Sequence, residues 1–571
     1  MLSRDDHPSG APTDKRAASL PARWPFLCLV VLLLPLKILF ALRYRVDSDE
    51  PQHLHVVWGW CSGRLPYRDF FDNHTPLFHI LCAPALKLFG ERPESFLWMR
   101  LLMAPLYLAA LWCAFRIARR LFSERDAIWA TLATAVLPPF FFCSTEFRSD
   151  DLWMALWLGF IAVMVCGRLS PRHGLLAGLL LGAAMGASMK TALLIVSLGI
   201  ALGIVVTGIG VRGFATPRVM LRKFAAYAGC ILLGFLVVPA AIVLFFYAKG
   251  EARDLYNATI GFNVMPGLGR WRHASAWIQW LLFAGILAPG WLIAQLARRS
   301  APTPEAGIKR AIVFLTGTVC FAILRCFWPL LDREHDLPIY PMLLAIAVPV
   351  FLESARRFPR LRWRVGSVGE ALVALVIVAE IAKIMSLSLS NRTLPETQLL
   401  AEVLRLTNPN DCVVDLKGET VFRPRSLWHV YEGITLARFK AKEIKDDLPE
   451  RVLATRACVA VLDNYRFQER GRAFLDRNFI RVGRMRVAGH TLSGHPDGTW
   501  TFQAEIPASY SLVSEHGPVT GMLDGKAYAG PRFLEAGPHR FEPASALASV
   551  AAVWSQAVER GFSPYGGPPP G

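Results

Sequence analysis

The sequence has no Cys-x-x-Cys pair and no cluster of cysteine with histidine, although it contains 11 cysteines. That absence excludes a thiolate metal site of the usual spacing. It has no Gly-x-x-x-x-Gly-Lys-[Ser/Thr] loop and no strand–Gly-x-Gly-x-x-Gly–helix, so nothing in it is built to cradle a nucleotide. No internal repeat is visible, which argues against the paired halves of many transporters. Acids are also scarce, 44 against 62 lysines and arginines, for a formal charge of +18. In a soluble chain that excess would suggest nucleic acid. Here it reads as basic loops that set membrane topology, and no nucleic-acid partner is expected.

Apolar residue is what the chain has in abundance: 53% is hydrophobic and the mean hydropathy is +0.36. Many windows of about 20 residues are almost wholly apolar, enough to cross a hydrocarbon core of roughly 30 Å. The first, Trp24 to Leu42, is too long for a cleavable leader and lacks a small-residue cleavage site, so it reads as a first span. Further spans are expected at about 95–118, 126–143, 152–167, 174–189, 191–210, 224–247, 276–296, 310–330, 337–353 and 367–387. The loops between them alternate. One set is rich in Lys and Arg (the N-terminal tail 1–23, then 116–125, 168–172, 212–223, 298–310 and 356–364) and belongs in the cytoplasm. The other set carries acids and histidines and belongs outside. The alternation holds only if Pro76 to Phe89, 14 residues, lies at the surface without crossing. The expected architecture is therefore an α-helical polytopic membrane protein of about 11 spans over 24–390, in a plasma or inner membrane, with the N-terminus inside. A large first external loop spans 43–95 and holds two surface helices.

Beyond Ser390 short apolar runs such as DCVVDL and ACVAVLD alternate with helical stretches, which predicts an external α/β unit over 391–488. Alternating strands broken by turns predict a small β domain over 489–550, followed by a disordered tail over 551–571. Nine cysteines fall in or beside the membrane region. Cys412 and Cys458 each sit in an apolar run of the C-terminal part and read as buried free thiols.

The expected external loops hold all the dense charge. Asp47, Asp49 and Glu50 follow the first span, and Arg64, Tyr67, Arg68, Asp69, Asp72, Asn73 and His74 share their loop. Glu146, Arg148, Asp150 and Asp151 lie between the third and fourth spans, Lys190 between the fifth and sixth, and Arg325, Arg333, Glu334, His335 and Asp336 between the ninth and tenth. Ionisable groups recurring at one membrane face point to function. Each group taken singly has a plainer role: Asp150-Asp151 would suit a helix N-terminus, and Lys190 could reach the headgroups. His53, His55 and His79 read as polar surface and not as metal ligands. Together, carboxylates and cations at one depth supply what general-base catalysis beside an anion clamp requires.

The ordered set of motifs resembles the GT-C class of polytopic glycosyltransferases, especially protein O-mannosyltransferases and the aminoarabinose transferase of lipid A. It comprises the acidic pair Asp49-Glu50 within DEPQH, the GRLPYRD run from Gly63, the HTPL opening at His74, and FRSDDLW from Phe147. The sequence departs where the aminoarabinose transferase has an adjacent acid and lysine before a proline: here stand Asn73-His74, with Asp72 one step earlier. The Trp-Trp-Asp type motif of oligosaccharyltransferases is absent. The resemblance implies a polyprenyl-phosphate-sugar donor, an extracytoplasmic acceptor (protein, lipid or glycan), and a site at the surface of the membrane lipid. It implies Asp49 as general base with Glu50 orienting it or the acceptor. Asp150 or Asp151 would hold acceptor or sugar hydroxyls. Lys190, Arg333, and with them His74, would hold the phosphate, and Asp72, Asn73, Arg148 and His335 complete the expected substrate-binding set. No cofactor is firmly implied; a divalent metal would be compatible with the acids, but no ligand pattern demands one. A secondary transporter or flippase of a lipid-linked or anionic solute is the alternative class, with acids expected in mid-span rather than at helix ends.

Overall fold

A computed structural model describes residues 23–209, 218–265, 275–357, 362–363, 366–387, 390–461 and 466–566. Most of the expected N-terminal tail, the first half of the basic loop at 212–223 and the last five residues lie outside this range. Among the described residues, seven helices are long and apolar enough to cross a membrane: Ser95–Leu121, Ser149–Cys166, Thr191–Gly208, Arg222–Ala248, Ala276–Arg299, Pro304–Cys326 and Ile339–Arg356. Helices Arg23–Arg43, Pro171–Ala187 and Val368–Ser386 occupy three more of the expected spans. The segment expected as one span over 126–143 is two helices, Glu124–Val136 and Pro138–Cys143. Pro138 forces the break because proline drives the residue before it out of helical geometry, and Leu137 is extended at φ −63°, ψ 116°.

Start signals are local. Ser170 and Thr303 accept hydrogen bonds from the backbone N–H of His173 and Ala306, and a proline follows each at the first helical position. Among the described residues, the basic loops at 116–125, 298–310 and 356–364 meet at one end of the bundle. Arg310 donates to the Leu121 carbonyl at 2.6 Å, Lys309 to that of Val165 at 3.0 Å, and Arg356 pairs with Asp126 and Glu370 at 2.5 and 3.1 Å. The acids and histidines of the remaining loops collect at the opposite end.

One helix pair packs backbone to backbone. Gly174, Gly178 and Gly182 recur every fourth residue along Pro171–Ala187 and so share a face, turned to Arg218–Ala248. A Cβ on Gly178 would sit 2.1 Å from the Ile231 carbonyl oxygen and one on Gly182 2.3 Å from that of Phe235. Reciprocally, one on Gly234 would sit 2.4 Å from the Leu175 oxygen. Small residues at such a seam let two helices approach where lipid gives no hydrophobic drive.

Helices Asp49–Cys61 and Leu77–Phe89 pack on each other within the 43–95 loop. The first is buried along most of its length, from Glu50 to Gly59, so it is an internal strut. The C-terminal region packs directly against it.

That region does not divide at residue 488. One eight-stranded sheet runs Gly517–Pro518, Ala508–Ser514, Ala551–Trp554, Met485–Thr491, Val459–Val461, Val413–Val414, with Arg532–Leu534 and Phe479–Val482 paired at its flanks. Met485–Thr491 crosses the expected boundary. The Val413–Val459 pairing is parallel, and the other pairs of this sheet are antiparallel. A second sheet of five strands covers 493–543. The expected disordered tail begins inside the first sheet: Ala551–Trp554 is a central strand, followed by helix Ser555–Glu559 and by Phe562 in the core. A four-residue run paired on both sides carries no alternation to announce it. Cys412 and Cys458 are free thiols, the second buried.

Replacing Gly178 by Val is expected to force the two helices apart and destabilise the protein by about 1–3 kcal/mol, the usual range for overpacking. The midpoint of thermal unfolding in detergent reads this, with exposed Gly199→Val as the control.

Candidate functional site

The site forms where four segments meet around one guanidinium. Arg148 precedes helix Ser149–Cys166, is 4% exposed, and contacts five carboxylates. Nη1 donates to Asp47 Oδ1 at 3.1 Å and Glu146 Oε2 at 3.3 Å. Nη2 donates to Asp49 and to Glu334 Oε1 at 2.6 Å, and Nε lies 3.7 Å from Asp150 Oδ2. Asp150 stands in the first turn of its helix, where the dipole favours an anion, and accepts from Lys190 Nζ at 2.6 Å. Glu334 rides on a single 3-10 turn, Arg333–Asp336, closed by reciprocal hydrogen bonds between Asp332 and His335.

Apart from Glu146, these groups line a cavity of about 1010 Å³. Asp47, Asp49, Asn73, His74, Arg148, Asp150, Lys190, Glu334 and His335 face it from the membrane unit. Lys417, Glu432 and Arg466 face it from the C-terminal unit, and Asn263 from the turn after the π-helix Asn257–Gly261. Met189, Ile260, Val264, Trp328, Leu330 and Ile434 supply apolar wall. Asn73 ties three segments together, donating to Asn263 Oδ1 at 3.1 Å and Glu432 Oε1 at 2.8 Å.

Burial acts to raise the Asp49 carboxyl, but Arg148 and then Lys417 outweigh it and hold the group well below the usual carboxylate range. Burial wins at two other acids. Glu146 is pushed up to about 8 and Glu334 to about 7, the neighbouring carboxylates adding to the effect against Arg148. Asp49 thus stays firmly ionised while Glu146 and Glu334 are poised near neutrality.

A histidine network, buried except for His74 at the cavity wall, adjoins the cavity. His74 Nδ1 meets Asp72 Oδ1 at 2.8 Å, and His53 Nδ1 meets His79 Nε2 at 2.9 Å. Burial lowers His79 to about 4, whereas the Asp72 carboxylate outweighs burial at His74 and raises it. His53, His55 and His79 are therefore interior groups and not the polar surface expected. Among the described residues, Asp332, Glu334 and His335 are the acids and histidine whose ligand atoms lie together, within 4.8 Å. Glu334 already serves Arg148, and His335 Nδ1 accepts the Asp332 N–H at 3.0 Å.

Residues 73–244 match the family described as dolichyl-phosphate-mannose-protein mannosyltransferase. No curated protein sequence matches the chain. Its fold is similar to that of ArnT from Cupriavidus metallidurans in the apo state, with a TM-score of 0.52 at 14% identity over 82% of this chain and 98% of that one. The same protein bound to undecaprenyl phosphate gives a TM-score of 0.50 at 15% identity, covering 78% and 94%. The chain carries the GT-C glycosyltransferase fold of the PMT/ArnT type. It is an integral membrane protein.

Within this GT-C fold the expected residues separate into three groups. Asp49, Asp150, Arg148, Lys190, Asn73, His74 and His335 come together around the cavity. Asp150, not Asp151, faces it; Asp151 is wholly buried and neither carboxylate oxygen has a hydrogen-bond partner. Glu50, expected to orient Asp49 or the acceptor, turns the other way. It accepts from Arg100 at 2.5 and 2.6 Å, from the Phe147 N–H at 2.8 Å and from the Asp47 N–H at 2.8 Å, a structural anchor. Asp72 is outside the cavity lining, held by His74. Arg333, expected to bind phosphate, is exposed and outside the cavity lining, because the 3-10 turn points Glu334 and His335 inward in its place. Sequence reasoning missed Lys417, Glu432, Arg466 and Asn263. The only local signal was the tight turn DLKGE, which marks a loop without indicating where it docks.

Glu50→Gln neutralises the carboxylate that, among the described residues, is the one paired with the wholly buried Arg100 guanidinium. The expected cost is about 3–5 kcal/mol, the range for breaking a buried pair from one side. Loss of folded protein on size exclusion and a lowered unfolding midpoint would register it.

Proposed function

We propose that this chain is a membrane glycosyltransferase that moves a sugar from a polyprenyl-phosphate-linked donor to an acceptor outside the cytoplasm. The observation that carries this reading is the cavity of about 1010 Å³ at one end of the helix bundle. It holds an ionised Asp49, and Asp150 paired with Lys190, beside Arg148, with apolar wall from Met189, Ile260, Val264, Trp328 and Leu330. The family match over 73–244 supports sugar transfer, and the undecaprenyl phosphate bound by the structurally similar ArnT supports a lipid phosphate as donor carrier. The gathering of the basic loops at the opposite end supports an extracytoplasmic cavity and C-terminal unit.

In this reading the acceptor hydroxyl attacks the anomeric carbon, the bond from that carbon to the phosphate oxygen breaks, and the hydroxyl proton passes to Asp49. The sugar leaves the lipid phosphate, whose growing negative charge Lys190 and Arg148 stabilise. Asp150, fixed by Lys190, holds sugar or acceptor hydroxyls, and His74 and His335 line the path. Charges at helix ends on one face, without internal repeats, favour an enzyme over a transporter.

Asp49→Asn is expected to lower transfer by at least about 100-fold, the usual worth of a positioned base, with membrane insertion intact. Incubating the purified variant with a labelled polyprenyl-phosphate sugar tests this, and wild-type rates would remove Asp49 from the role. A second expectation concerns pH. Glu334 is protonated below about 7 and becomes an anion above it. An added negative charge facing the cavity repels the donor phosphate, so the donor KM should rise on the order of tenfold between pH 6 and 8. Glu334→Gln should flatten that rise, which a pH series of donor saturation curves resolves.

A further inference from the structure

Lys417 lies 368 residues beyond Asp49, in the other unit, yet its ammonium ends on the Asp49 carboxylate. The loop beneath it is built for that placement. Asp415, wholly buried, accepts from the backbone N–H of Gly418 at 3.1 Å and of Thr420 at 3.0 Å. It also accepts from the Thr420 hydroxyl at 2.6 Å and from Arg425 Nε at 2.5 Å. The Lys417 N–H donates to Glu419 Oε2 at 2.7 Å. Gly418 takes φ +100° and lies against helix Asp49–Cys61 so closely that a Cβ would sit 3.0 Å from that of His55 and 3.3 Å from Gln52 Cα. His55 Nδ1 meets the Val421 carbonyl at 2.7 Å. The loop is thus fixed to the helix one and two turns beyond Asp49, and it delivers a cation that is 5% exposed yet lines the cavity. Glu432, at 3.7 Å, is its second partner.

A lysine serving only to tie two units together has no need to sit on the reacting volume. This one neutralises the proposed base, and any phosphate entering the cavity competes with Asp49 for it. Resting on the glycosyl-transfer reading above, we infer that Lys417 is a positioning residue that changes partner during the cycle. It pairs with Asp49 in the empty site and transfers to the donor phosphate on binding, leaving Asp49 on Arg148 alone. The exchange moves positive charge from the base to the leaving group. Asp49 becomes the better proton acceptor only when a donor is in place, so an unoccupied site holds its carboxylate in reserve. The C-terminal unit thereby contributes to the chemistry and not only to the enclosure.

The test is a double-mutant cycle read as binding of undecaprenyl phosphate to the full chain in nanodiscs, by native mass spectrometry. Lys417→Gln should weaken binding about tenfold and Lys417→Arg, which restores the charge, should keep it within about threefold of wild type. Asp49→Asn should tighten binding, by about tenfold, because it releases Lys417 for the phosphate. In the Lys417→Gln background the same Asp49→Asn change should tighten binding far less. Equal tightening in both backgrounds, or wild-type affinity in folded Lys417→Gln, overturns the partner exchange. A merely structural lysine would lower the unfolding midpoint and leave the cycle additive, which also overturns it. Failure of the wild-type chain to bind the lipid phosphate overturns the donor reading itself, and the wild-type arm alone reveals that.

Discussion

Everything at the site hangs on one buried guanidinium shared by five carboxylates. Arg148 could not stay charged and nearly sealed from water without them, and they could not crowd together without it. Its five donors in a planar fork suit that task where a lysine would not. The constraint then propagates. Asp47 and Asp49 must follow the first helix at the right height, which Glu50 secures by gripping Arg100. Glu334 must come from a turn late in the chain, which the Asp332–His335 closure secures. Asp150 is placed by the start of a membrane helix. Segments separated by some 100 to 190 residues are fixed to one point.

The same crowding sets the electrostatics. Near one cation, carboxylates cannot all ionise at equal cost, and burial decides which yield. Asp49 keeps its charge because two cations face it, whereas Glu146 and Glu334 move toward neutrality. Two acids that titrate near physiological pH beside one that does not are a means of dividing roles among chemically similar groups.

Much of this was legible beforehand, for a physical reason. Ionisable groups beside a bilayer are costly, so Asp49, Arg148, Asp150 and Lys190 stood out against an apolar background. The alternating charge of the loops likewise foretold which helix ends gather. What sequence could not supply was direction. Asp49 and Glu50 are adjacent and chemically alike, yet helical geometry turns one to the cavity and the other to Arg100. Asp150 and Asp151 divide in the same way, and Arg333 points outward beside two neighbours that point in. Lys417 was out of reach altogether, since its role depends on a docking between units far apart in the chain. The glycine face of Pro171–Ala187 was written plainly in its four-residue spacing and went unread, hidden in a segment taken only as apolar. The strand Ala551–Trp554 was mistaken for tail because a short central strand has no polar alternation.

The cavity is a seam between two bodies of chain, and its walls differ in what they hold. Asp49, Arg148, Asp150 and Lys190 all fall within one contiguous quarter of the sequence, while Lys417, Glu432, Ile434 and Arg466 face them from another. Lys417 is tied to Asp49 in the first wall, whereas Ile434 in the second makes no such link and only shapes the space. A change at such a purely apolar position alters the shape of the cavity and leaves the ion pairs that join its two walls in place.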